Sequence, residues 1–382
     1  MRIALEQPVY LGGSRGVGTY ARNLVRALAR LPGDDEFLLF GFFFKDFERK
    51  LEQVERPADP RFKAALQRWP ESLTTALEWE RGVPVIDSYC RLRGVDVYHC
   101  PALRLPRLSR AVGVLSVHDL IGEVRPDLFP PEAREGWSRR SREQVRRAAL
   151  VLASSDCAKR DLMERYGVAE DRIRRVYLGV DHEAFRPSAG REGLRAKFGL
   201  RERFLISVGP WEPRRNLETE LKAFKLLVSR PETSDCGLVL TGSVEGAYPE
   251  TLKRLAAELG LAERVTWTGY VGQAELAGLY SLASGFVYPS WYDGYNLPML
   301  EAMACGTPVA VSKAGVLPEL GGGACLLFAP GDAEEQADCL RRLLTDASLA
   351  SELRRKGLAR AAEFQWDKTA RQTLDAFHAA RG

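Results

Sequence analysis

From residue 203 onward the sequence alternates short apolar runs with longer helical stretches. RFLISVG (203–209), GLVLTG (237–242), RVTWTG (264–269) and GFVYP (285–289) read as strands, because near-continuous apolar runs of this length suit strands covered on both faces. NLETELKAFKLLV, PETLKRLAAELG and ELAGLYSLA, lying between them, carry helical periodicity. Such alternation predicts a parallel sheet with right-handed crossovers.

An earlier alternation precedes it. RIALE (2–6) is followed by the glycine loop LGGSRGVG and by VGTYARNLVRALARL, which sets Val17, Tyr20, Leu24, Leu28 and Leu31 on one helical face. EFLLFGFFF (36–44), VDVYH (95–99), AVGVLSVHD (111–119), LVLASS (150–155) and IRRVYLGVD (173–181) read as further strands. The serines of LVLASS can cap the helix DCAKRDLMERYG, which Gly167 ends. Glycines 12, 13, 16 and 18 do not fit GxGxxG, so this loop stands between a phosphate-approaching turn and a merely tight one. Residues 45–94, with Trp69 and Trp79, have weak periodicity and read as a variable excursion. The polar stretch 182–193 reads as a linker. The expected organisation is therefore an α/β chain with one Rossmann-like domain over 1–182 and a second over 183–364. A C-terminal helix over 365–382 would pack back on the first domain, and a cleft between the two would hold the ligand.

Composition narrows the class. The 382 residues are 45% hydrophobic and 28% charged, enough for two or three cores. The net charge of +4, from 55 basic and 51 acidic side chains, gives no reason to expect nucleic acid as a partner. Seven cysteines form no CxxC pair and are odd in number, which suggests neither a zinc ribbon nor a disulfide framework and fits a reducing cytoplasm. No apolar window reaches spanning length, and the first residues lack the apolar core of a signal peptide.

Chemistry concentrates in YPSWYDGYNLPMLEAMACGTPVAVS, residues 288–312. Pro298 suits the first position of a helix that runs to Cys305 and stops at Gly306. Gly294, Tyr295, Asn296 and Leu297 lie just ahead of it, where backbone N–H groups and the helix dipole favour a phosphate. Asp293 and Glu301 flank this anion site, and carboxylates there call for a neutral, hydroxyl-rich ligand such as a sugar or ribose. Arg214 and Arg215 follow the first strand of the second alternation, placed to bind a diphosphate and neutralise a leaving nucleotide, or else to form a surface ion-pair cluster. His118 ends a strand in the first alternation and faces the crevice expected there, with a structural histidine as the competing reading. No side chains stand at metal-ligand spacing, so the arginines would take the place of a divalent cation. The helix over 134–148 carries arginines 139, 140, 142, 146 and 147, which suit anionic headgroups, an acidic acceptor or simply water.

The glycine loop, VHDL, SSDCAKRDL, YLGVD, EPRRN, TWTGYV and PSWYDGYNLPMLEAMACGTPV together resemble glycosyltransferase family 4. Those enzymes are retaining transferases of the GT-B fold, with two Rossmann-like β/α/β domains facing each other across a cleft. The family's EX7E motif is matched by Asp293 and Glu301 with seven residues between. The resemblance implies that Asp293 contacts donor-sugar hydroxyls and Glu301 the ribose. It also implies that Arg214 and Arg215 hold the diphosphate, His118 contacts the donor, and Gly13 approaches the phosphates. Asp293 replaces the usual glutamate, Arg215 a common lysine, and Asn296 a glycine whose positive φ an asparagine can keep.

The implied reaction moves a hexosyl unit of mannose or glucose type from a GDP- or UDP-sugar to an acceptor hydroxyl. It needs neither cofactor nor metal, and the acceptor would be a glycan, a lipid-linked glycan or a small molecule. The EPRRN and HDL context points towards mannosyl donors. The implied location is cytoplasmic, with peripheral contact at the inner membrane face through the arginine-rich helix. A sugar-nucleotide epimerase and a non-catalytic nucleotide-sugar-binding protein of the same fold are the alternatives.

Overall fold

A computed structural model of the chain describes residues 1–7, 15–43, 47–52, 54–68, 70–188, 193–242 and 246–382. The chain forms two compact units, Met1–Gly179 with Gln365–Gly382, and Val180–Phe364.

The first unit is built on a seven-stranded sheet. Its strands are β1 (Arg2–Glu6), β2 (Glu36–Phe43), β3 (Phe62–Arg68), β4 (Val97–Cys100), β5 (Val112–Val117), β6 (Leu150–Ala153) and β7 (Ile173–Arg175). They lie in the order β3-β2-β1-β4-β5-β6-β7, and each pairing is parallel. The buried runs Ile3–Leu5 and Val114–Val117 explain why these strands lack polar alternation. The segment 45–94 contributes edge strand β3 and a helix at Val85–Leu92, so the excursion belongs to the sheet and its cover. The strand expected over 173–181 is only three residues long. Ser155 caps the helix Asp156–Tyr166, accepting from the Ala158 N–H, and Gly167 ends it with φ 65°. The helix Trp366–Arg381 packs against the helix Arg15–Arg30. It brings buried Trp366, Ala370, Thr373 and Phe377 into this unit.

The arginine-rich helix spans Pro131–Arg147. Arg142 is committed internally: it donates to Glu123 and lies over the Tyr166 ring at 4.8 Å. Arg147 donates to Glu143 and to the Leu105 carbonyl. Arg139, Arg140 and Arg146 are exposed.

The second unit holds a six-stranded parallel sheet. Its strands are β8 (Phe204–Val208), β9 (Gly237–Thr241), β10 (Val265–Gly269), β11 (Gly285–Tyr288), β12 (Val309–Ser312) and β13 (Leu326–Phe328), ordered β10-β9-β8-β11-β12-β13. Strand order reverses between β8 and β11, and ligands of such sheets bind beyond the carboxyl ends of the strands at that point. Helices Leu217–Val228 and Ala333–Thr345 pack on each other, with Leu221, Phe224, Leu227, Leu340 and Leu343 in one core with Leu205, Leu238 and Val287. Among the described residues no helix is long and apolar enough to cross a membrane. All seven cysteines are free thiols.

Candidate functional site

The carboxyl ends of β8 and β11 meet at the switch point of the second unit, and the chain leaves each strand in a tightly bonded turn. After β8 the chain passes Gly209 and forms a short turn at Pro213–Arg215. Gly209 has φ 151°, a conformation strained for any side chain, and a Cβ there would touch the Arg215 Nε at 3.4 Å. Asn216 follows with φ 57°. Its side-chain amide donates to the Pro289 carbonyl at 3.1 Å, while Trp291 N–H and the Ser290 hydroxyl both donate to the Arg214 carbonyl at 3.0 Å. The two turns are thereby stitched together.

These bonds bring Arg215 and Asp293 into contact. Arg215 Nη1 donates to Asp293 Oδ2, and the two side chains are 11% and 5% exposed. The same oxygen accepts from the Tyr288 hydroxyl at 2.7 Å and from the Asn296 amide at 3.1 Å. The Arg215 guanidinium lies over the Tyr288 ring, 4.9 Å from its centroid. Burial lowers the Arg215 pKa to about 10 against the pull of Asp293, so the guanidinium stays charged at neutral pH. Arg214 pairs with Glu212 at 2.6 Å and is half-buried.

Asn296 behaves differently from the expectation that it keeps a glycine's positive φ. Its φ is −123°, and it is the N-cap of the helix Leu297–Ala304, its side chain accepting from Met299 N–H at 2.8 Å. Among the described residues Asn216 is the non-glycine residue with positive φ. Pro298 occupies the second helical position rather than the first. Gly294 and Tyr295 lie in the turn ahead of that helix and Leu297 opens it. Gly315 has φ 55°, and a Cβ there would stand 2.2 Å from the Asp293 carbonyl oxygen, so only glycine lets the following loop close on this turn.

Glu301 sits one turn into the helix and accepts from the Tyr280 hydroxyl at 3.4 Å. Burial pushes its carboxyl up to about 8 and the nearby Asp181 adds to the rise, while the Tyr280 hydrogen bond opposes it. At neutral pH the free protein therefore presents mostly a carboxylic acid here, able to donate one hydrogen bond and accept others.

His118 belongs to the first unit, just past β5. Burial lowers its pKa to about 4 against a hydrogen bond to the Pro101 backbone, so the imidazole is neutral. The Tyr20 ring meets it edge-on at 4.8 Å. Tyr20 in turn shares a buried hydrogen-bonded cluster with Ser116 at 2.9 Å, and Ser116 bonds His99 at 2.8 Å. Gly13 lies outside the described residues. Among the described residues no group of three or more His, Cys, Asp and Glu side chains is placed to hold a metal ion. Sequence pattern alone singles out neither Tyr288 nor Asn216; for the second, the asparagine of EPRRN between a turn and a helix is the available signal.

Two parallel-sheet α/β units make the GT-B architecture seen in solved glycosyltransferase structures. Residues 191–360 match the model of glycosyl transferases group 1, and residues 14–184 match that of glycosyltransferase family 4. The O-antigen chain mannosyltransferase B of Escherichia coli is 31% identical over 95% of both chains. The MMP alpha-(1->4)-mannosyltransferase of Mycolicibacterium hassiacum is 32% identical, covering 100% of this chain and 98% of its own. The crystal structure of Anabaena Alr3699/HepE in complex with UDP and glucose superposes with a TM-score of 0.77 at 18% identity, over 99% of this chain and 100% of that one. The chain belongs to glycosyltransferase family 4.

Proposed function

We propose that this glycosyltransferase is a retaining hexosyltransferase that moves a mannose- or glucose-type unit from a GDP- or UDP-sugar to an acceptor hydroxyl. The observation that carries this reading is the Arg215 guanidinium, charged, nearly buried and fixed at the switch point by Asp293 and Tyr288. A cation held in advance where a diphosphate would lie stabilises the charge that develops on the departing nucleotide without reorganising during the reaction. Arg214, paired with Glu212 on the same turn, lies next to it as a second cation. Asp293 spends one oxygen on Arg215, Tyr288 and Asn296, and its second oxygen is the one assigned to a sugar hydroxyl. Glu301, as a carboxylic acid, suits a ribose diol, which both accepts and donates. The neutral His118 imidazole is assigned a donor-sugar hydroxyl, and Gly13 the approach to the phosphates.

The full-length similarity to two proteins named as mannosyltransferases favours a mannosyl donor. The Anabaena protein, crystallised with UDP and glucose, keeps UDP-sugars in the set to be tried. In this reading the first unit selects the acceptor, a glycan, lipid-linked glycan or small molecule. The exposed Arg139, Arg140 and Arg146 offer peripheral contact with anionic lipid on the cytoplasmic side. Catalysis proceeds without a metal, the arginines supplying the positive charge.

A thermal-shift panel of GDP-, UDP-, ADP- and TDP-sugars, followed by nucleotide-release assays with candidate acceptors in the presence of a chelator, tests this. A raised melting temperature with one donor, chelator-resistant release and a product of retained anomeric configuration are expected. An isomerised sugar nucleotide would indicate an epimerase. Donor binding without release across a broad acceptor panel would indicate a binding protein.

A further inference from the structure

We propose that Tyr288 is a positioning residue of the transfer reaction, holding Arg215 and Asp293 in one fixed arrangement before a donor arrives. The proposal rests on the assignment of Arg215 and Asp293 to the donor site. Tyr288 is the last residue of β11 and is 2% exposed, so its ring is set by the sheet rather than by the loop that follows. The Phe286 ring stacks near it, with centroids 5.9 Å apart and planes 15° from parallel. From that anchored ring two contacts run to the site. The hydroxyl donates to Asp293 Oδ2 at 2.7 Å, and the ring face carries the Arg215 guanidinium at 4.9 Å.

The geometry makes Tyr288 more than a core aromatic. Arginine has many rotamers, and a guanidinium that must neutralise a leaving group at a set place loses rate when it wanders. Asp293 alone ties down one end of Arg215 with a single nitrogen, leaving the plane of the guanidinium free to turn. The ring beneath it supplies the second constraint, since a cation above an aromatic face is attracted to the centre of the ring. The hydroxyl donates to the same Asp293 oxygen that accepts from Arg215, leaving the other for the assigned sugar hydroxyl. Asn296 continues the same chain of bonds to the helix start, donating to Asp293 and accepting from Met299 N–H.

Tyr288→Phe and Tyr288→Leu separate the two contacts. Circular dichroism and thermal unfolding check that each variant folds. Calorimetry gives the Kd for GDP and UDP, and initial rates with the accepted nucleotide sugar give kcat and KM. Tyr288→Phe keeps the ring, so diphosphate binding is expected to stay within about threefold of the parent while kcat falls about tenfold through the freed Asp293. Tyr288→Leu loses both contacts, and both diphosphate affinity and kcat are expected to fall by about tenfold or more. Activity and affinity within about twofold of the parent in both folded variants would overturn the role of Tyr288. So would equal losses in Phe and Leu that merely follow their melting temperatures. If the parent protein itself bound neither diphosphate and released nucleotide from no sugar donor, the donor-site assignment would fall, and this proposal with it.

Discussion

Arg215 and Asp293, 78 residues apart in sequence, form a buried ion pair at the carboxyl edge of the second sheet. Each is the other's main compensation for leaving water. Removing one partner of such a pair costs about 3–5 kcal/mol, because the remaining charge stays buried. Asp293→Asn and Arg215→Ala are each expected to lower stability by that order in urea denaturation. The double variant Arg215→Met/Asp293→Leu should recover most of the loss, yet bind GDP and UDP no better than Arg215→Ala. Full recovery of nucleotide binding in the double variant would show that the pair is structural only.

Glu301 should matter to nucleotide binding through its hydrogen bonds rather than its charge. Glu301→Ala is expected to weaken GDP or UDP binding by about tenfold or more, and Glu301→Gln by clearly less, since the amide retains a donor and an acceptor. In the parent, affinity should decline above pH 8, where the carboxyl held up to about 8 ionises. Titration calorimetry from about pH 6 to 9 brackets that ionisation, and a flat profile would contradict it.

Asn296 caps the helix Leu297–Ala304, so Asn296→Ala should cost about 1 kcal/mol for the lost cap. It also removes one of the three donors to Asp293 Oδ2. Asn296→Gly keeps the space but neither bond. If glycine's backbone freedom were what mattered at this position, Asn296→Gly would match the parent in stability and turnover. A φ of −123° leads to the opposite expectation, with both variants impaired.

Glu220 lies in the core of the second unit, 1% exposed, and neither carboxyl oxygen has a well-formed hydrogen bond among the described residues. Burial raises its carboxyl from the ordinary 4.5 to about 8, against a weaker pull from Ser207. The unfolded chain releases this proton near pH 4.5 and the folded chain near 8, so between those values the native state holds the extra proton. The contribution of this one group to stability should therefore fall as pH rises from 4.5 towards 8. The cost at neutral pH is on the order of 3 kcal/mol. Glu220→Leu is expected to flatten that slope and to be more stable than the parent at about pH 8, as urea unfolding at about pH 5 and pH 8 would reveal.

Parallel strands announce themselves because both faces are covered, and β8, β9 and β11 could be placed within a residue or so from their apolar runs alone. β3 could not, since FKAALQR is an edge strand with three exposed or half-exposed polar residues and a register set by β2. The site divides in the same way. Its helix start was legible, because Asn296, Leu297 and Pro298 are local signals of helix initiation. The contact of Arg215 with Asp293 was not, because among 55 basic and 51 acidic side chains opposite charges pair in too many ways for the spacing to select one. Tyr288 escaped for a related reason: an aromatic at the end of a buried strand looks like core until its hydroxyl is seen to have a charged neighbour.

The helix Trp366–Arg381 carries a consequence for how the chain is made. Chains emerge from the ribosome with the N-terminus first, at about 5–20 residues per second. Strands β1 to β7 are all synthesised before residue 180, but the helix that supplies Trp366 and Phe377 to their unit appears only after the whole of Val180–Phe364. The unit begun first is thus completed last, and for the duration of that synthesis its Arg15–Arg30 helix awaits its cover. A released chain lacking residues 365–382 would present a finished second unit and a first unit with an open apolar seam.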